Sequence, residues 1–167
     1  RSSDLSLHGL RLVEDAAHSF GCSYQGKKIG STGDVVCFSF DGIKNISTGE
    51  GGAILTADDE VIQKVSDARL LGVQKDSEKR YSGQRSWQFD VVEQAYRYHM
   101  SNICAAIGLV QLSRFENEFA QRRRYIAQRY CELLKDTPYV KLTQMDYKQD
   151  IVPHLFTLQI LEGKRPQ

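Results

Sequence analysis

The sequence contains little proline, no closely spaced cysteines and almost no net charge, and each shortage excludes a class of protein. Its three prolines all lie in the last 30 residues, so the front of the chain holds no proline-rich linker. The 22 basic and 21 acidic side chains leave a net charge of +1, which gives no electrostatic reason to expect binding to nucleic acid or to an anionic membrane. No apolar run approaches the length of a membrane-spanning helix, so we expect no membrane partner.

The cysteines are spaced neither as a metal site nor as a redox motif. The four are Cys22, Cys37, Cys104 and Cys131. They lie far apart, without a CxxC pair, and two of them lie in or beside apolar runs. This pattern favours buried free thiols in a reducing cytoplasm over disulfides or zinc ligation. At 167 residues and 41% hydrophobic content, the chain has the size of one ordinary domain.

Apolar runs separated by glycine-rich turns predict an α/β fold. We expect strands over Leu10–Val13, Asp34–Phe40, Ala53–Thr56 and Leu155–Leu161, a hairpin over Ser23–Gly33, and helices over Ser2–His8, Asp58–Leu71 and Ser101–Lys135. The run Val35–Phe40 is apolar apart from Ser39, which is typical of a strand covered on both faces. Gln74–Tyr98 is polar and lacks periodicity, so we expect a long surface loop. An unpaired last strand and a first helix with nothing before it suggest a piece of something longer.

The longest predicted helix carries an apolar stripe of residues mostly three or four apart. The stripe consists of Ile103, Ile107, Val110, Phe115, Phe119, Ile126, Tyr130 and Leu133. The basic run Arg122–Arg124 falls within the same helix. Because three consecutive residues spread around a helix axis, we interpret this run as a solvated face and not as an anion site.

A lysine follows the predicted strand Asp34–Phe40, in a loop that leads to a Gly-Glu-Gly-Gly turn. A lysine that forms a Schiff base must be able to lose its proton near neutral pH, and partial burial favours the neutral amine. Asp15 follows the first predicted strand, where ligands bind at the carboxyl edge of α/β sheets. We interpret Lys44 and Asp15 as gripping opposite ends of one cofactor, pyridoxal 5′-phosphate (PLP). The alternatives are a solvated loop lysine and a helix-capping aspartate.

Two further side chains suit the same cofactor. His18 could hydrogen-bond the phenolic oxygen, and Asp15 would keep the pyridine nitrogen protonated so that the ring accepts electrons. Ser39 could donate its hydroxyl to the phosphate. Each has a plainer alternative: His18 as a neutral imidazole packed beside the strand, and Ser39 bonded to backbone. We expect no metal site.

Taken in order, these motifs resemble the DegT/DnrJ/StrS-type sugar-nucleotide aminotransferases. The matching segments are Val13-Glu-Asp-Ala-Ala-His18, Gly30-Ser-Thr-Gly-Asp34, Ser39-Phe40, Lys44-Asn45, Thr48-Gly-Glu-Gly-Gly52 and Tyr98–Leu112. The resemblance spans nearly the whole chain. It implies a fold-type I PLP-dependent transferase, with a mostly parallel sheet flanked by helices and the start of a small α/β C-terminal domain. Residues 1–100 would be the C-terminal half of the large PLP-binding domain, and residues 101–167 the connecting helix and the start of the small domain.

The resemblance also implies the roles of individual residues. Lys44 would be the catalytic lysine that carries the cofactor, with Asp15, His18 and Ser39 as further cofactor ligands. The protein would be a homodimer with shared active sites, in which the loop near Tyr96–His99 reaches the neighbour's phosphate. The usual family text there is Asn-Tyr-Arg-Met, whereas this chain has Arg-Tyr-His-Met, with His99 as the basic residue.

The implied activity is transfer of an amino group from an amino-acid donor, glutamate by expectation, to a keto sugar linked to a nucleotide. Such a reaction belongs to cell-surface polysaccharide or other amino-sugar biosynthesis. One alternative is a sugar dehydratase of the same fold, in which histidine typically takes the place of Lys44. The other is a truncated homologue that binds no cofactor, because family members are roughly twice this size. We expect the chain by itself to lack a complete active site.

Overall fold

The structure is a computed structural model that describes residues 2–73, 90–91, 93–143, 147 and 150–161. The chain divides into two compact units. The first comprises Arg1–Leu55 together with Asn102–Gln167, and the second comprises Thr56–Ser101. The sequence-based domain boundary after residue 100 stays a prediction.

A three-stranded sheet lies in the first unit, in the order β1-β4-β5. Its strands are β1 (Val13–Asp15), β4 (Val35–Ser39) and β5 (Gly52–Thr56). Strands β1 and β4 run parallel, with Val13 opposite Val35 and Asp15 opposite Cys37. Strand β1 begins three residues later than the predicted first strand. Just before it, the Leu12 amide donates to the Asp34 carboxylate at 3.3 Å, so this amide is not available to a neighbouring strand. The other two strands are confirmed.

Strand β4 is buried on one face among the described residues. Val36 is 1% exposed and Phe38 8%, whereas the alternate residues Val35, Cys37 and Ser39 are half-buried. The expectation that both faces are covered is therefore wrong for the described chain. Alternation of burial follows from the two-residue period of a strand.

The core of the first unit consists of two clusters joined by phenylalanines. One contains Ala16, Val36 and Phe38, and the other contains Ile46, Phe115, Ala120 and Val152. Phe20 packs against both clusters, with edge-to-face contacts to Phe38 at 5.4 Å and Phe115 at 5.0 Å. Such contacts add to the apolar area that each ring buries. The turn that carries Phe20 is thereby fixed to the sheet and to the long helix.

The long helix is continuous but changes its winding. It comprises α3 (Asn102–Arg114), a π-helical turn (Phe115–Phe119) and α4 (Ala120–Leu134). A Cβ added at Gly21 would lie 2.2 Å from the Phe115 ring, so Phe115 enters the core where only a glycine leaves room. Our sequence reading predicted the helix but not this turn. Part of the predicted stripe is also wrong, since Ile103 and Leu133 are 77% and 62% exposed while Ala120 and Ala127 are buried.

Two antiparallel hairpins complete the first unit. Strands β2 (Ser23–Tyr24) and β3 (Lys27–Lys28) form the predicted hairpin. Strands β6 (Val140–Leu142) and β7 (Leu158–Ile160) form the second. The last strand was predicted over Leu155–Leu161 as unpaired, and the structure pairs it with β6. Three residues are too few for β6 to show a strand period.

Helices α1 (Ser2–Leu7) and α2 (Asp59–Ala68) confirm two further predictions. In the second unit, Asp58 caps α2 by accepting from the amides of Glu60 and Val61. Isolated bridges then join Leu70 to Arg97 and Val73 to Val91. Most of the predicted loop at 74–98 lies outside the described residues. Within the described part of the chain, no helix is long and apolar enough to cross a membrane. All four cysteines are reduced thiols, and all are half-buried.

Candidate active site

The carboxyl ends of two parallel strands bring Asp15 and Ser39 to one edge of the sheet. Asp15 ends β1 opposite Cys37, and Ser39 ends β4 two residues farther on. Because side chains two residues apart share a face, Asp15, Cys37 and Ser39 lie on the same face of the sheet, opposite buried Val36 and Phe38. Asp15 Oδ1 accepts from the Ala17 amide at 3.1 Å. Ser39 Oγ accepts from the Asp41 amide at 3.4 Å. Both side chains thus also make the local backbone contacts that are expected of a capping aspartate and of a serine bonded to the backbone.

His18 lies on the turn directly after β1. The turn starts with the Ala16 amide donating to the Cys37 carbonyl, and it continues with Ser19 donating to Ala16. His18 itself is exposed. Its neighbour in the turn, Phe20, anchors this segment in both core clusters. The segment after Asp15 is thus a turn.

Lys44 lies in the loop between β4 and β5, beside residues that are fully buried. Its Nζ is 2.8 Å from His18 Nε2, and the residue is half-buried. Asn45 and Ile46 follow at 4% exposure each. A buried pair directly after the lysine fixes the backbone from which its side chain extends, so Lys44 is neither a freely solvated loop residue nor a core residue.

The glycines after Lys44 serve the backbone of the loop. Gly49 has a φ of +82° and Gly51 a φ of +150°, values that side chains disfavour. A Cβ at Gly52 would lie 2.6 Å from the Phe38 carbonyl oxygen. These glycines therefore meet a conformational demand of the loop and allow close packing of the strands.

Two residues in contact with this lysine loop were not singled out from the sequence as site residues. Arg123, on α4, donates to the Lys44 carbonyl at 3.0 Å and to the Pro153 carbonyl at 3.3 Å. The His154 ring lies 4.2 Å from the His18 ring, centroid to centroid, at an angle of 43°. The arginine run was the available signal, but we interpreted it as solvated. That interpretation is wrong for Arg123 and Arg124, whose side chains bond to backbone carbonyls.

The electrostatics of this corner are dominated by basic groups. Burial lowers the pKa of His154, and the neighbouring charges of His18, Lys44 and Arg123 lower it further. Burial also lowers the pKa of the Arg123 guanidinium. Clustered basic groups with a perturbed pKa are typical of functional sites, because protein cores otherwise pair their charges.

His99 lies in the second unit, so the structure gives no placement relative to Lys44. Its ring is half-buried, and Nδ1 is buried without a hydrogen-bond partner. Its role as a phosphate ligand across a dimer therefore stays a prediction.

The fold is that of the fold-type I PLP-dependent transferases, as its structural neighbours show. The chain belongs to the DegT/DnrJ/EryC1/StrS aminotransferase family, whose model matches residues 5–167. The spore coat polysaccharide biosynthesis protein SpsC of Bacillus subtilis is 38% identical over 157 residues, which are 94% of this chain and 40% of that protein. An uncharacterised protein of Methanocaldococcus jannaschii is 42% identical over 139 residues, 80% of this chain and 36% of its own length. The chain thus spans about two fifths of these relatives.

Solved structures of similar fold are aminotransferases. Helicobacter pylori PseC, an aminotransferase in pseudoaminic acid biosynthesis, superposes with a TM-score of 0.80 at 29% identity, over 95% of this chain and 40% of that one. A candidate sugar aminotransferase of Streptococcus pneumoniae, Spr1654, has been solved in PLP and pyridoxamine phosphate forms. Its pyridoxamine phosphate form superposes with a TM-score of 0.76 at 30% identity, over 91% of this chain and 37% of that one.

The donor set of the site fits PLP. The lysine Nζ can react with an aldehyde, the Asp15 carboxylate can hold a protonated pyridine nitrogen, and the Ser39 hydroxyl can donate to a phosphate oxygen. Asp15 and Ser39 share one face and one edge of the sheet, and Lys44 follows directly in the next loop.

Proposed function

We propose that the full-length protein is a PLP-dependent aminotransferase that transfers an amino group from glutamate to a keto sugar linked to a nucleotide. The observation that carries the proposal is the pairing of Lys44 Nζ with His18 Nε2 at 2.8 Å, beside the carboxyl ends of β1 and β4. The similarity to SpsC and PseC supports a role in making amino sugars for surface polysaccharides or related products. We propose a cytoplasmic homodimer, with His99 serving the partner's site.

Each residue has a distinct task in this mechanism. When bound, PLP supplies an electron sink for the charge that develops at the substrate carbon. Asp15 holds the positive charge of the ring nitrogen, and Ser39 binds the phosphate. Lys44 Nζ would hold the cofactor and would then move a proton between the substrate carbon and the aldehyde-derived carbon of the cofactor, which is general base and acid catalysis by one amine.

His18 orients the lysine. A lysine ammonium only donates hydrogen bonds, so a contact with the charged amine requires His18 Nε2 to be the acceptor, with the ring proton on Nδ1. That tautomer leaves Nε2 as a fixed neighbour of Nζ. Arg123 holds the backbone of Lys44 by donating to its carbonyl oxygen. The amine is thus located from both its side chain and its main chain.

The test is chemical labelling of the full-length protein. Purified protein should absorb in the visible, and borohydride reduction should attach the cofactor irreversibly to the peptide that contains Lys44. Lys64, on α2, is the matched control and should stay unlabelled. Label on another lysine, or no bound cofactor at all, would contradict the proposal and would favour the non-catalytic alternative. The lysine itself favours an aminotransferase over a dehydratase, and an assay of amino-group transfer from glutamate against dehydration of the sugar separates the two.

A further inference from the structure

His154 contacts the proposed site without having a task in it. It follows Pro153 in a segment that is distant in sequence from the lysine loop, and its ring lies 4.2 Å from that of His18. His18 is exposed on its turn, so burial alone does not restrict the orientation of its ring. A neighbouring ring in contact restricts it directly.

The backbone before His154 is fastened to both segments of the site. Arg123 bonds the Pro153 and Lys44 carbonyls. Asn45 Nδ2 donates to the carbonyls of Phe20 and Val152, each at 3.0 Å. Val152 is 1% exposed and its amide donates to Cys22 Sγ at 3.2 Å. These bonds set the position of the His154 ring over His18 independently of any ligand.

The His154 ring is held in its neutral form. Its Nδ1 is buried without a hydrogen-bond partner, and an unpaired lone pair is less costly there than an unpaired N–H. The neighbouring groups that lower the pKa of His154 are all basic: His18 on the first turn, Lys44 on its loop and Arg123 on α4. A second proton on His154 would therefore be opposed by burial and by the basic groups beside it. The ring acts as an uncharged aromatic surface.

We propose that His154 is a positioning residue, whose neutral ring holds the His18 ring so that Nε2 faces Lys44 Nζ. The tilted ring-to-ring contact, and not a hydrogen bond, performs this task, since Nδ1 has no partner. The catalytic consequence rests on the proposed function. The placement of His18 by His154 does not, because it involves only side chains of this chain.

The test uses three substitutions in the full-length, cofactor-free protein. His154→Ala removes the ring, His154→Phe keeps an aromatic surface without a titratable group, and His8→Ala changes an exposed histidine outside the site. The readout is the pair of ring-nitrogen NMR signals of His18 in protein labelled with [15N]histidine, assigned by their loss in His18→Gln. Circular dichroism checks that each variant is folded.

We expect one tautomer of His18 in the unmodified protein, His8→Ala and His154→Phe. In His154→Ala the NMR signals of the two His18 ring nitrogens should shift toward the average of the two tautomers. Loaded with cofactor, His154→Ala should lose about tenfold or more in kcat, since small misplacement of a reacting group is costly, and His154→Phe should restore most of it. Unchanged His18 signals in folded His154→Ala would overturn the proposal, as would equal disturbance in His154→Phe. Labelling of Lys44 tests the proposed function separately.

Discussion

The two ends of the β1–β4 strand pair use charge in opposite ways. At the amino end, Arg11 and Asp34 form a two-pronged ion pair in which Arg11 Nε lies 2.8 Å from Asp34 Oδ2. The hydrogen bond from Arg11 is the main cause that lowers the pKa of Asp34. At the carboxyl end, the basic side chains of His18, Lys44 and Arg123 lie close enough to His154 to lower its pKa. The amino end pairs two opposite charges, whereas the carboxyl end gathers basic side chains around His154.

This difference separates charged side chains that serve the structure from charged side chains that serve the function. An exposed ion pair at a strand start adds little to stability and screens away in salt. A basic cluster at the ligand-binding edge of the sheet is unfavourable for folding by itself and is retained where a negatively charged or electrophilic group is to be bound. The phosphate and aldehyde of PLP are such groups, which agrees with the proposed function.

The largest expected effect is at the carboxyl end. Asp15→Asn should lower kcat about 100- to 1,000-fold, the loss typical when one preorganised electrostatic group is removed, because an amide cannot hold a cationic ring nitrogen. The protein should stay folded, since an asparagine can still accept from the Ala17 amide. Steady-state kinetics with circular dichroism measures both. Near-normal activity would show that Asp15 serves only the turn.

The next largest effect is expected at Arg123, which bonds both the lysine loop and the segment before His154. Arg123→Gln should lower the free energy of unfolding by about 1–3 kcal/mol, because the carbonyls of Lys44 and Pro153 lose a charged hydrogen-bond donor. Arg122→Gln is the matched control. Arg122 is exposed and lies 5.5 Å from the Tyr125 ring, so its loss should cost about 1 kcal/mol or less. Urea unfolding compares the pair, and equal losses would refute the special role of Arg123.

A smaller effect is expected from pH. The folded-state pKa of His154 lies below its unfolded value of 6.5, so the unfolded chain binds a proton first as the pH falls. The free energy of unfolding should therefore decrease from about pH 7 downward, until the folded-state pKa is passed. His154→Phe should remove this part of the slope, while His8→Ala should not. A slope that is identical in His154→Phe would assign the pH dependence to other groups.

The smallest effect is expected at the amino end. Asp34→Asn should leave kcat unchanged and lower the melting temperature only slightly, with the difference disappearing at high salt. The charge-matched comparison is Asp15→Asn, at the other end of the same strand pair. If Asp34→Asn impaired turnover as strongly, the contrast between the two ends would fail.

The parts of the site that lie close together in sequence were predictable. Asp15 and His18 fall in one motif, Ser39 and Lys44 fall in two neighbouring motifs, and the apolar runs before them predicted β1 and β4. Short separations make such patterns readable, because the strand period and the turn residues act locally. The Lys44–His18 contact joins two of these motifs, 26 residues apart in sequence.

What the sequence by itself determined is the chemistry: a lysine after an apolar strand, a carboxylate after its neighbour, and a family in which both recur. What only the tertiary structure decided is how that chemistry is held. Arg123 reaches the Lys44 carbonyl across 79 residues of chain, the π-helical turn brings Phe115 to Gly21, and His154 lies over His18 from a segment with no periodic signal. Contacts between distant segments depend on the closed geometry of the core and not on local pattern, and so they leave no trace that a single sequence can show.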